Sequence, residues 1–121
     1  MLLGILVIGI TQFSFAEGPH EKESYITVDE EKFEQPSTNY NYQQITISGH
    51  IADYSRGEKF TITVVNPFGF EEDISTFASK KGGIYTLLHI TQDAQIGVHQ
   101  VILKYHDEEI ASTSFEILEN Q

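Results

Sequence analysis

The sequence of 121 residues predicts one all-β domain, a two-sheet sandwich of about seven short strands. Apolar and polar residues alternate over short stretches such as "ITISGHI", and a period of two places the apolar side chains on one face. Turn signals such as "NPFG" and "KKGG" separate these stretches at nearly regular spacing. No stretch shows the 3.6-residue period of an amphipathic helix. Hydrophobic residues make up 40% of the chain, which is enough for a folded core.

The first predicted strands lie in the N-terminal half of the sandwich. Ser24–Asp29 alternates, with Ile26 and Val28 on one face. The turn-rich stretch Glu34–Gln44 links this strand to the regular alternation of Ile45–Ile51.

A hairpin is predicted in the middle of the chain. Lys59–Val65 alternates and is followed by "NPFG", in which Pro67 presets φ at the second turn position and Gly69 closes a type I turn. The weaker strand Phe70–Ser79 follows this turn.

Three further strands complete the sandwich. Ile84–Ile90 is apolar on both sides, which predicts a central strand. Val98–Tyr105 alternates with His99 on its inward face, and after a turn at "HDE" the stretch Glu109–Leu118 returns as the last strand.

The N-terminus predicts an extracytoplasmic protein. An uncharged apolar run of about ten residues precedes Ser14 and Ala16, the small residues expected before a signal peptidase cleavage site. The alternative is an uncleaved anchor, and both place the rest of the chain in the cell envelope or outside the cell. The predicted divisions are a signal peptide at 1–16, a disordered acidic segment at 17–23, the β-sandwich at 24–118 and a tail at 119–121.

Composition excludes several classes of function. The formal net charge of −11 repels nucleic acids and anionic membranes, and it favours cationic partners. We therefore expect no nucleic-acid partner, and no membrane insertion after signal cleavage. The absence of cysteine excludes disulfides, thiolate metal sites and cysteine catalysis. No G-x-S-x-G motif or glycine-rich phosphate loop is present, so we predict neither an enzyme nor a bound cofactor.

Several motifs occur together in a fixed order. They are "ISGHI" within Ile45–Ile51, "VVNPFG" at Val64–Gly69, "GIYTL" at Gly83–Leu87, "GVHQV" at Gly97–Val101 and "ASTSF" at Ala111–Phe115. This series resembles immunoglobulin-like domains of macroglobulin type in secreted and cell-surface proteins of archaea, notably ammonia-oxidising archaea. The resemblance covers Ser24 to Leu118 and implies a single immunoglobulin-like β-sandwich with a structural or adhesive role. The chain departs from the family pattern at His99, where a Tyr is usual, and at Phe68, where a small or polar residue is usual.

Two aromatic residues are the candidate contact residues. Phe68 lies at the tip of the predicted hairpin, where burial is difficult, and Phe70 follows it. A tip aromatic can anchor a partner protein or stack on a sugar, or it can fold back over the end of the sandwich. We predict that Phe68 and Phe70 contact a protein or an envelope polymer.

The histidines and acids suggest a second site. His99 follows Gly97 at the predicted corner before a strand, where an imidazole can donate a hydrogen bond to a backbone carbonyl. His106, Asp107 and Glu109 are the alternative candidates for a surface site that binds copper or calcium. Alternation places His99 and His106 on opposite faces, and the acids can equally be a solvated turn.

The sequence therefore predicts a non-enzymatic, secreted or cell-envelope β-sandwich that acts as a structural or adhesive protein-interaction module. The alternative is a small extracytoplasmic protein that binds copper or calcium through surface histidine and acidic residues. The oligomeric state is not fixed by the sequence.

Overall fold

Residues 23–37 and 42–119 are described by the structure, a computed structural model, and they form β-strands joined by turns and loops. The predicted signal peptide and nearly all of the acidic segment lie outside these residues. The strands are β1 (Tyr25–Val28), β2 (Lys32–Glu34), β3 (Gln43–His50), β4 (Lys59–Val65), β5 (Glu71–Phe77), β6 (Gly83–Ile90), β7 (Gly97–Tyr105) and β8 (Glu108–Leu118).

The strands form two sheets, which confirms the predicted all-β sandwich. One sheet has the order β1-β3-β6, and the other has the order β2-β8-β7-β4-β5. Neighbouring strands are antiparallel except for β2, which runs parallel to β8. Eight strands are present instead of about seven because the charged stretch around Phe33 forms the short β2. Phe33 is buried, which explains why such a short strand is held against β8.

The position of β6 differs from the prediction. The sequence predicts a central strand, but β6 pairs only with β3 and lies at the edge of the smaller sheet. Ile84 and Ile90 are buried on its inner face, whereas Tyr85 and Leu87 are exposed on its outer face. Apolar residues on both faces indicated cover on both sides, but only the inner face is covered by the second sheet.

The core lies between the inner faces of the sheets. Strand β7 illustrates the alternation, because His99, Val101, Leu103 and Tyr105 are all buried, as the period of two predicts. The fully buried hydrophobic residues of the core include Ile45, Ile47, Ile51, Ile62, Val101, Leu103 and Ile117. None of the described residues forms a helix of the length and hydropathy needed to cross a membrane.

The strand pairings define two ends of the sandwich. Val65 lies opposite Gln100, whereas Thr61 lies opposite Lys104. The β4–β5 hairpin and the β6–β7 loop therefore share one end, which we call the tip end. The β7–β8 turn lies at the opposite end, about 27 Å away along the nine residues of β7.

Candidate functional site

The β4–β5 hairpin is closed by hydrogen bonds of Asn66. Its backbone carbonyl accepts from the Gly69 amide at 2.9 Å, and its own amide donates to the Phe70 carbonyl at 2.9 Å. The Asn66 side-chain oxygen accepts from the amides of Phe68 and Phe70 at 2.9 and 3.0 Å. Gly69 has φ of 92°, a left-handed value that glycine adopts without strain. The hairpin therefore holds a defined conformation.

Both phenylalanines of this hairpin point into solvent. Phe68 is 69% exposed and Phe70 is 71% exposed, so neither is packed over the end of the sandwich. Burying a phenylalanine side chain typically stabilises a protein by about 1.5–3 kcal/mol. Because Phe68 and Phe70 are both exposed, neither side chain contributes this stabilisation to the fold.

The hairpin rests on the corner where β7 begins. Gly97 has φ of 128°, and a Cβ atom added there would lie 2.9 Å from Cγ of Pro67. The proline ring therefore occupies the space that any larger residue at position 97 would need. This contact fixes the hairpin against the start of β7.

His99 lies directly beyond this corner. The side chain is only 6% exposed, and its ring stacks on Phe115 with centroids 4.8 Å apart and an interplanar angle of 10°. Its Nδ1 lies 3.3 Å from the Gly97 carbonyl oxygen. Because a carbonyl oxygen only accepts, Nδ1 carries the proton and Nε2 presents a lone pair.

A cavity of about 410 Å³ opens between the two sheets at the tip end. Its walls include the buried residues Val64, Ile90, His99 and Phe115. The volume is within the range of about 300–1,000 Å³ that is typical of ligand pockets.

Acidic residues and an aromatic ring stand at the mouth of this cavity. Glu71, Glu72 and Asp93 line it and are exposed, as is Phe70. Glu72 lies opposite Val64 in the β4–β5 pairing, so its side chain is on the inner face of the sheet, toward the cavity. The tip end thus combines an apolar interior with a negative mouth.

His106 lies at the opposite end, where it contacts a residue that the sequence did not indicate. Its Nε2 is 2.9 Å from Oε1 of Glu58, and the Tyr105 hydroxyl donates to the same oxygen at 2.5 Å. The hydrogen bond from Tyr105, followed by that from His106, lowers the pKa of Glu58. His106 and Asp107 have positive φ values of 56° and 64°, which places them in the turn rather than on an extension of β7.

The described histidines do not cluster, and each one contacts different residues. Their hydrogen-bond partners are Glu23 and Lys81 carbonyls for His50, Gln44 for His89, the Gly97 carbonyl for His99 and Glu58 for His106. Among residues 23–37 and 42–119 there is no group of three or more histidine or acidic side chains that could hold a metal ion. His106 and Asp107 lie in the turn and Glu109 lies in β8. The arrangement of these three residues adds no support to the copper or calcium alternative.

The buried imidazole predicts a specific dependence of stability on pH. Burial lowers the pKa of His99, and the hydrogen bond to Gly97 offsets this in part. Above pH of about 6.5, the usual pKa of histidine, both folded and unfolded states are neutral and the stability is fully present. As the pH falls below this value, the unfolded state binds the proton first, so the free energy of unfolding decreases until the lower pKa of the folded state is passed. We expect His99→Phe to remove this part of the decrease between pH 7.5 and 5.5.

Urea unfolding of both proteins at several pH values tests this expectation. The phenylalanine ring can keep the stack on Phe115, and the titration of all carboxylates cancels when the two proteins are compared. Parallel pH dependences for the original protein and the variant would contradict the role assigned to His99.

Comparison of the sequence with protein-family models gave no match, and comparison with curated proteins gave none either. The sequence singled out Phe68, Phe70, Gly97 and His99, which the structure places at the tip end. The sequence did not indicate the cavity. A signal was nevertheless present, because strand alternation places the acidic Glu72 on the inward face of β5, where an apolar core residue is expected.

Proposed function

We propose that this chain is a non-enzymatic immunoglobulin-like module of secreted or cell-envelope proteins, which binds a partner protein or envelope polymer through its tip end. The observation that carries the proposal is the exposure of Phe68 and Phe70 on a hairpin held by Asn66. Large aromatic residues are the side chains that most often dominate binding energy at protein interfaces.

The rigidity of the hairpin supports this role. Binding costs free energy whenever a loop must be ordered in the complex. Hydrogen bonds from Asn66 and the contact of Pro67 with Gly97 already order this hairpin in the free protein. The two rings are thus presented to a partner at a reduced entropic cost.

The immunoglobulin-like part of the proposal rests on the order of the sequence motifs, which resembles that of macroglobulin-type domains in archaeal proteins, and the two-sheet architecture is compatible with it. The extracytoplasmic location rests on the apolar N-terminus. A net charge of −11 favours partners that carry positive charge.

Photocross-linking tests the role of the hairpin. A benzoylphenylalanine at position 68 of the full chain should give discrete adducts with an envelope fraction of the source cells. The same group at position 108, which is exposed at the opposite end, should not give these adducts. Unlabelled protein should suppress the adducts, whereas the double variant Phe68→Ser, Phe70→Ser should compete at least about 10-fold more weakly.

Tyr85→Ser provides the matched control, because Tyr85 is an aromatic residue of similar exposure, 73%, on the outer face of β6 and away from the hairpin. It should compete as well as the original protein. Equal competition by the hairpin variant and by Tyr85→Ser would refute the assignment of the tip.

A further inference from the structure

The cavity at the tip end contains a buried hydrogen-bond acceptor. His99 lines the cavity, and its Nε2 has no hydrogen-bond partner among the described residues. No polar side-chain atom in this part of the chain is both sealed from solvent and unpaired, so Nε2 keeps some accessible surface, and His99 lines the cavity. With the proton on Nδ1, this nitrogen accepts a hydrogen bond and does not donate one. An occupant of the cavity should therefore bring a donor.

The charges around the cavity have one sign. Glu71, Glu72 and Asp93 are at its mouth, and none of the described lining residues is a lysine or an arginine. Carboxylates only accept hydrogen bonds when ionised, as does the lone pair of His99. The cavity thus attracts a cation that carries several donors.

The apolar walls of the cavity determine which chemical group can be attached to the bound cation. Val64, Leu88 and Ile90 line the interior and offer apolar surface to an aliphatic chain. Phe70 at the mouth adds an aromatic ring, and aromatic rings attract ammonium and guanidinium groups. An aliphatic stem that ends in a cationic head matches this combination of surfaces.

We propose that the cavity binds a basic side chain, a lysine or an arginine, supplied by the partner that the Phe68 and Phe70 hairpin contacts. The inference rests on the proposed function, and it specifies the chemistry of the partner: a protein segment with positive charge. The stem lies along the apolar walls, the head donates to Nε2 of His99, and the carboxylates of Glu72 and Asp93 at the mouth attract its positive charge.

The test uses the full chain and small amides of single amino acids. Nuclear magnetic resonance titration with Nα-acetyl-lysine methylamide should give saturable shifts at Ile90, Asp93 and His99. The norleucine amide has a similar stem without the charge, and it should bind at least about 10-fold more weakly. Equal binding of the two amides, or saturable shifts with neither the lysine nor the arginine amide, would overturn the proposal.

A pair of charge-matched variants separates local contacts from the general negative field. Glu72→Gln with Asp93→Asn should weaken binding of the lysine amide by about 10-fold. Glu108→Gln with Glu109→Gln removes two negative charges at the opposite end and should change the affinity by less than about twofold at 0.15 M salt. Equal weakening in both variants would show that only the overall charge acts, and the cavity assignment would fail.

The outcome is independent of the test of the hairpin. Cross-linking through position 68 can succeed while the lysine amide fails to bind, in which case the module stands and the cavity assignment falls. Saturable lysine binding without cross-linking would leave the cavity as the binding site and refute the role of the hairpin.

Discussion

Replacing Phe115 with alanine should lower the free energy of unfolding by about 3–5 kcal/mol. Phe115 is 1% exposed, and it lies on β8 between two other rings. Its ring centroid is 5.8 Å from that of Phe33 and 4.8 Å from that of His99. The substitution removes burial of a large side chain and leaves a cavity that the stacked neighbours fill only in part. It also enlarges the cavity at the tip end, which Phe115 lines.

Urea unfolding followed by circular dichroism measures this loss. Phe77→Ala is the matched control, because Phe77 is an exposed phenylalanine at the end of the edge strand β5. We expect this control to change the free energy of unfolding by less than about 0.5 kcal/mol. A loss in Phe115→Ala no larger than in Phe77→Ala would contradict the role of the stacked rings in the core.

Alternation in sequence was sufficient to predict the fold class and the inward faces of most strands. It works where one face of a strand is buried, as for β7, because the side-chain period of two then coincides with the core. The prediction of a central β6 was wrong, because the apolar side chains of Tyr85 and Leu87 indicated cover that the structure does not provide. Composition of a strand does not distinguish burial from an exposed apolar surface.

Contacts between distant segments could not be predicted from one sequence. Glu58 and His106 are 48 positions apart and meet only because the β3–β4 loop and the β7–β8 turn lie at the same end. Likewise, the cavity takes its lining from β4, the β4–β5 hairpin, β5, β6, the β6–β7 loop, β7 and β8. Local pattern specifies the face on which each side chain lies, but the pairing of strands decides which faces meet.

The two ends of the sandwich differ in how their polar groups are used. At the opposite end, the hydroxyl of Tyr105 accepts from the Ser55 amide at 2.9 Å and donates to Glu58. At the tip end, the imidazole of His99 keeps one accessible nitrogen without a protein partner among the described residues. The Tyr105 hydroxyl thus has protein partners for both its donor and its acceptor role, whereas His99 keeps an unused acceptor and lines a cavity that exposed acids also line. This contrast is consistent with the binding role that we propose for the tip end.

Gly49→Ala should destabilise the protein by about 3 kcal/mol, although it adds only one methyl group. Gly49 lies in the central strand β3, opposite Ile26 of β1 and Ile84 of β6. An added Cβ would lie 2.2 Å from the carbonyl oxygen of Tyr25 and 3.0 Å from Cα of Ile26. Both atoms belong to the backbone, so the clash cannot be relieved by rotating a side chain. We expect β1 to move away from β3 and to lose its hydrogen bonds.

Hydrogen exchange locates this effect in the structure. The amides of Tyr25 and Thr27 in β1, which belong to the hydrogen-bonded pairs with β3, should exchange faster in Gly49→Ala. That of Val101 in β7 should lose protection only in proportion to the global loss of stability. Ser48→Ala is the neighbouring control, because Ser48 faces outward and its hydroxyl makes a single contact of 3.2 Å with that of Thr27. It should cost less than about 1 kcal/mol, since an exposed hydroxyl pair contributes little. If the β1 amides keep their protection from exchange in Gly49→Ala, the sheet accommodates the methyl group. Glycine at position 49 would then not be required by the close approach of β1.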